Sequence, residues 1–220
     1  MKKEHLEVLT QAEQAAYYEV PDFNETQHYE FLTLDQSELD LVMSRSSWSA
    51  RVHCCLQIAY FKAVNLFFKV TWSEVSNKTI KFILEQYFYD QSIKLSKITD
   101  YEYYTQCAAI ARLCGFQMWE SQFSDSLLNK ANELAKLNIN QQFIALELLT
   151  YLKQQKIIRP QYTTLQSLII IAINSEKSRI NKLLMEQITP EESRLILALI
   201  SNESTLSELA AIKQDAKDFK

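Results

Sequence analysis

Glycine occurs once in this chain of 220 residues and proline three times, where average usage of ~7% and ~5% would give roughly 15 and 11. That scarcity excludes most β and α/β architectures, because sandwiches, barrels and doubly wound sheets place these residues at their tight turns. It also excludes phosphate-cradling loops, which need several glycines so that the backbone can approach the anion. Long apolar runs are missing too. None, Leu168 to Ile173 included, comes near the ~20 residues of a membrane span. No apolar stretch follows Met1-Lys2-Lys3-Glu4-His5, so no secretory signal is predicted. The four cysteines, at 54, 55, 107 and 114, have neither zinc-knuckle nor CxxC spacing. They read as small buried apolar residues of a reducing compartment, which predicts a cytoplasmic protein.

What is present is helical. Thr10/Glu13, Thr71/Glu74, Thr99/Glu102, Thr189/Glu192 and Thr205/Glu208 fit the capping box, and Asp35/Glu38 is its Asp-headed form. Behind them, apolar residues recur with helical period: Val52, Cys55, Leu56, Ala59, Tyr60 and Ala63; Ile80, Ile83, Leu84 and Tyr87; Tyr103, Cys107, Ile110 and Cys114. Gly115 follows the last of these, where a left-handed helix stop is wanted. Helices are predicted near 49–67, 124–137, 140–155, 163–187, 190–201 and 205–216. The segment 29–34 is the one place for a strand, and 117–123 reads as a joint. The predicted fold is all-α, as two helical subdomains spanning 1–118 and 122–220.

Chemistry for catalysis is sparse. His5, His28 and His53 are scattered without an HExxH pattern, and no Ser sits in a GxSxG elbow. Most acids stand in first turns of helices, where capping accounts for them. The chain reads as non-catalytic, without metal or cofactor. His53, beside a helical apolar stripe, reads as a packed or surface histidine, and the helical spacing of Tyr101, Tyr103 and Tyr104 makes such aromatics mostly core, with surface tyrosines able to stack on exposed bases.

Net charge is −4 but unevenly spread. Residues 1–50 hold three Lys/Arg against ten Asp/Glu, and residues 51–100 hold seven against four. An acidic head followed by mildly basic regions permits an anionic partner. Two places suit one. The first is the connection Ser44-Arg45-Ser46-Ser47-Trp48 with Arg51, arranged as at the second helix of a helix-turn-helix; an ordinary helical hairpin with solvated arginines fits it as well. The second runs from Lys153 through Lys156 and Arg159 to Gln161, Tyr162, Thr163, Thr164 and Gln166. Cations ending one helix precede phosphate- and base-contacting residue types at the start of the next. A charge cluster with Thr163 or Thr164 as cap explains it equally. Lys177, Arg179 and Lys182 form a further basic strip.

Several segments, in order along the chain, carry a resemblance. They include Leu9-Thr10-x-x-Glu13-x-x-x-Tyr17-Tyr18-x-x-Pro21-x-Phe23, Tyr29-x-Phe31-x-Thr33-Leu34, and Leu56-Gln57-Ile58-Ala59-Tyr60-Phe61-Lys62-Ala63. Further on come Tyr103-Tyr104 through Gly115-Phe116, Lys156-Ile157-Ile158-x-Pro160-x-Tyr162-x-Thr164-Leu165-Gln166, and Lys213-x-Asp215-x-Lys217-Asp218-Phe219. Together they resemble the N-terminal region of the replicative transposases of the Tn-three family. Cys107 and Ala59 depart from that pattern.

The resemblance implies helix-turn-helix-like modules that bind the terminal inverted repeats of a transposon as double-stranded DNA, while a separate C-terminal domain cuts and joins. On this reading Arg45, Arg51, Lys156, Arg159 and Thr164 position on phosphate, Gln161, Tyr162 and Gln166 read bases, and Ser47, Lys153 and Thr163 are further DNA contacts. The partners are then transposon-end DNA and the remaining transposase domains, without membrane, in a bacterial cytoplasm and nucleoid; a homodimer of the full-length protein is compatible with this. The competing reading is a helical protein-interaction or regulatory module without DNA contact.

Overall fold

The computed structural model describes residues 8–89 and 93–201. The Thr205/Glu208 box, the helix expected near 205–216 and the segment from Lys213 lie outside them. Among the described residues the fold is all-α, with ten helices and no strand: α1 (Gln11–Tyr18), α2 (Glu25–Phe31), α3 (Gln36–Met43), α4 (Trp48–Val64), α5 (Asn77–Tyr87), α6 (Asp100–Leu113), α7 (Ser124–Leu137), α8 (Gln141–Gln154), α9 (Tyr162–Gln187) and α10 (Pro190–Ser201). Reciprocal capping boxes open α1 at Thr10/Glu13, α3 at Asp35/Glu38 and α6 at Thr99/Glu102, and Thr189 and Glu192 bond in the same way ahead of α10.

Local structure departs from the sequence reading at three points. Residues 29–34 form no strand. Asn24 and Gln27 make a capping box that the Ser/Thr pattern does not show, and the chain turns helical at Glu25. Thr71/Glu74 closes a turn instead of a helix, because the helix behind it starts only at Asn77 under a Ser76 cap. α9 begins at Tyr162, so neither Thr163 nor Thr164 caps it; the Gln161 carbonyl accepts the first helical N–H groups, from Thr164 and Leu165.

The chain divides into two compact units, Met1–Ile173 and Asn174–Lys220. Two apolar clusters organise the first. One surrounds α4, on which α2, α3, α5 and α6 pack. Twelve of its seventeen residues, from Ser49 to Phe61, are buried. At about 1.5–3 kcal/mol per fully buried large apolar side chain, Leu56, Ile58 and Tyr60 alone make α4 the main anchor of this cluster. The second cluster joins α7, α8 and the first half of α9 through Leu127, Leu148, Leu165 and Ile169, and it includes Val8, Leu9 and Tyr17 from the start of the chain.

Two helix stops link the clusters. Gly115 takes φ 72 after α6, and the Phe116 N–H reaches the Ala111 carbonyl at 2.7 Å. Lys156 takes φ 53 after α8, and the Ile157 N–H reaches the Leu152 carbonyl at 2.9 Å. Both are Schellman ends. The emerging segments then pair: the Gln117 N–H donates to the Lys156 carbonyl at 2.8 Å, and the Ile158 N–H to the Gln117 carbonyl at 2.9 Å. The single glycine and a strained lysine thus do the same job at the two ends of one bridge.

Polar groups inside the α4 cluster are satisfied in series. Gln57 is oriented by Phe68, whose N–H donates to its Oε1 at 3.1 Å and whose carbonyl accepts from its Nε2 at 2.7 Å. The same amide nitrogen faces His53 Nε2 at 3.2 Å. Since an amide nitrogen only donates, Nε2 accepts and the ring proton sits on Nδ1, which donates to Gln106 Oε1 at 2.7 Å. Gln106 in turn donates to the Ala50 carbonyl at 3.0 Å. The chain of bonds fixes a neutral histidine in the core.

Candidate nucleic-acid interface

The first candidate lies between α3 and α4. Ser47 caps α4, its hydroxyl accepting from the Ala50 N–H at 3.1 Å. Arg45 donates through Nε to the Leu41 carbonyl at 3.2 Å, and Arg51 donates through Nε to the Arg45 carbonyl at 3.0 Å while its guanidinium lies 4.9 Å from the Trp48 ring centroid. Both arginines therefore brace the connection. A recognition helix needs a free face to enter a groove, and α4 has none beyond its first turn, because neighbouring helices cover the rest. Ser44, Ser46, Ser47 and Trp48 stand exposed there, and with Arg45 and Arg51 half-buried this site can offer an anion little more than a helix start.

The second candidate is built differently. α8 ends at Gln154, and α9 begins at Tyr162 after seven intervening residues. Lys153 is exposed in the last turn of α8, and Lys156 is exposed at the left-handed position, its Nζ 3.6 Å from where a Cβ on Gly115 would stand. Both ammonium groups lie at helix C-termini, whose partial negative charge accounts for part of their placement. On α9, Leu165, Leu168, Ile169 and Ala172 turn inward, leaving Gln161, Thr163, Ser167 and Ile171 exposed, with Thr164 and Gln166 half-buried. The result is an outward helix face of small polar side chains, closed by one aliphatic residue, next to two cations. Across residues 141–173 Lys153, Lys156 and Arg159 stand against the single acid Glu147.

Two predicted contact residues are occupied elsewhere. The Arg159 guanidinium lies 3.7 Å from the Tyr17 ring centroid and donates to the Tyr17 carbonyl at 3.2 Å. Burial lowers its pKa from the ordinary arginine range, while the Tyr17 and Tyr18 hydroxyl groups act the other way. Tyr162 is buried against Tyr17, ring centroids 5.8 Å apart, and its hydroxyl meets no hydrogen-bond partner among the described residues. Tyr17 itself donates to the Pro160 carbonyl at 2.5 Å. These two rings and one guanidinium fasten α1 to the start of α9 instead of facing solvent. Sequence spacing could not show this, since Tyr17 and Arg159 are 142 positions apart.

In the second unit, Arg179 forms a two-pronged pair with Glu176 at 2.8 and 2.6 Å, and Lys182 lies 3.9 Å from Glu186. Two of the three cations of the basic strip, Arg179 and Lys182, are thus matched by acids one turn away. α9 and α10 meet there around a cleft lined by Leu184, Met185, Ile188 and Ile196. No group of three or more metal-ligating side chains occurs among the described residues, and no helix among them is long and apolar enough to cross a membrane. Cys54, Cys55 and Cys107 are buried, Cys114 half-buried, and all four are free.

The geometry on the page is a cation-flanked helix start on an all-α scaffold. A family model described as "Domain of unknown function (DUF4158)" matches residues 8–172, and the chain belongs to that family. The family is found in transposase-related proteins. No curated protein matches the chain.

Proposed function

We propose that this chain binds double-stranded DNA at the terminal inverted repeats of a transposon, as an end-recognition module separate from strand transfer. One observation carries the reading: among the candidate helices, α9 exposes a polar face, Thr163 and Ser167, at its N-terminal end, with exposed Gln161 just before it and Lys153 and Lys156 on the segment leading to it. Small hydroxyl and amide side chains contact phosphates and base edges, and Ile171 on the same face suits a thymine methyl. The family's occurrence in transposase-related proteins supports the choice of DNA. Arg159 and Tyr162 act in this reading only as supports for the start of α9, and Arg45, Ser47 and Arg51 as a secondary phosphate contact.

A mobility-shift titration compares a duplex bearing the element's terminal repeat with a scrambled duplex across a salt series. The expected result is preference for the repeat. Joint replacement Lys153→Gln/Lys156→Gln should weaken both duplexes alike and flatten the salt slope by about 1.8, at ~0.9 per phosphate contact. Joint replacement Thr163→Ala/Ser167→Ala should erode the preference itself. Equal affinity for the two duplexes would sink specific recognition, and no binding at low salt would sink DNA binding. That second outcome would favour a helical protein-interaction module, for which the exposed Met185 and Leu195 of the second unit are the supporting observation.

A further inference from the structure

A second cleft, of about 510 Å³, lies on the α4 cluster. Its lining includes His53, Trp72 and Tyr103, with Lys69, Lys97 and Thr71. The volume falls within the ~300–1,000 Å³ of small-molecule sites. Its geometry is set by the buried network: His53 has both ring nitrogens engaged, so it offers the cleft only ring carbon, and the Trp72 and Tyr103 rings meet it at centroid distances of 6.2 and 6.1 Å. Trp72 is pinned by its indole N–H, which donates to the Ser96 carbonyl at 2.7 Å. Ser96 is held in turn by Ser49, whose hydroxyl accepts from its N–H at 2.8 Å. Rings fixed in this way stack on a guest without first losing freedom of their own.

Charge narrows the guest. Lys69 is paired to Asp100 at 2.8 Å, whereas Lys97 acts on that same carboxylate only through its field. Glu74 also lines the cleft, but its carboxylate is held by the Thr71 N–H and hydroxyl at 2.6 and 2.9 Å. With Asp100 taken up by Lys69 and Glu74 held by Thr71, Lys97 is the cation left to a guest, which suits one negative charge and not a polyphosphate. A planar ring with a single phosphate satisfies aromatic and cationic walls together.

We propose that this cleft takes one nucleotide, its base stacked on the Trp72 and Tyr103 side and its phosphate at Lys97. The nucleotide comes either from an unpaired DNA strand or from solution, and the inference stands whether or not α9 binds duplex.

The test follows 2-aminopurine fluorescence, which is quenched on stacking, with the full chain. The probes are a single-stranded decamer carrying the base, the free 2-aminopurine deoxynucleotide, and the same decamer fully paired. Saturable quenching is expected for the single strand and none for the duplex. Quenching of the free nucleotide at equal concentration would assign the site to a soluble nucleotide, and weaker quenching would assign it to a strand. Tyr103→Ala should weaken binding roughly tenfold or more, as loss of a stacking partner does. Lys97→Gln, at an exposed position that leaves the core intact, should weaken it several-fold and reduce its salt dependence. Lys153→Gln/Lys156→Gln should leave the quenching unchanged, which separates this site from duplex binding. Absence of quenching up to about 1 mM, the weak end of the affinity scale, overturns the proposal. So does quenching that survives both Tyr103→Ala and Lys97→Gln.

Discussion

The Arg159 guanidinium stacks on the ring of Tyr17, 3.7 Å from its centroid, and donates to the carbonyl of the same residue. One side chain thereby holds both the face and the backbone of α1. Arg159→Ala should destabilise the fold by about 2 kcal/mol, the scale of a desolvated cation–π contact, with Arg159→Lys recovering little because an ammonium cannot lie flat on the ring. Denaturant unfolding reads the loss. Stability unchanged by Arg159→Ala would return Arg159 to the surface cations.

Tyr162 lies against the same ring, and its hydroxyl is buried without a hydrogen-bond partner among the described residues. Burying such a group costs about 1–3 kcal/mol, so Tyr162→Phe should raise the melting temperature and leave DNA affinity as it was. A fall in affinity with an unchanged melting temperature would show the hydroxyl to be a contact.

Lys156 holds φ 53 without being glycine. An L-residue pays about 1–2 kcal/mol for that conformation, part of which glycine gives back through its freer unfolded chain. Lys156→Gly should therefore stabilise the protein by roughly 0.5–1 kcal/mol while weakening duplex binding, so that stability and affinity move in opposite directions. Gly115→Ala, at φ 72, should do the reverse and lower stability. Thermal melts and mobility shifts on the same preparations check both.

Burial lowers the His53 pKa below 6.5, with Gln106 and Glu102 opposing, and burial is also the first cause of the lowered His28 pKa. In the unfolded chain both rings take up a proton near pH 6.5, while in the fold they resist it. Their contribution to stability is therefore complete above pH 6.5 and lost as the pH falls from there toward the depressed native values. Unfolding free energy measured from pH 7.5 down to 5 should decline, and the decline should be smaller in His53→Gln. A flat profile in the unaltered protein would contradict the neutral, Nδ1-protonated ring.

Helix positions were legible because capping and periodicity act over three or four residues. α7 and α10 match their sequence boundaries, and Gly115 stands at the left-handed stop that its place predicts. Tertiary cover was not legible in the same way. Val52, Cys55, Leu56 and Ala59 mark one stripe on α4, yet His53 and Gln57 on other sides are equally buried, because hydrogen bonds to Gln106 and Phe68 replace their water. The site divides along the same line. Lys153 and Thr163 are exposed as their residue types suggest, whereas Arg159 and Tyr162 are taken up by a tyrosine remote in sequence.

Tyr17 and Pro160 are joined across 143 positions by the bond from the Tyr17 hydroxyl. On the ribosome, α1 therefore emerges long before the residues that receive it. Closing so long a loop is slow relative to local helix formation, so the nascent chain carries the apolar side of α1 uncovered until α9 has been made. Docking of α1 is then a late folding step, completed only once Arg159, Pro160 and Tyr162 have all been made.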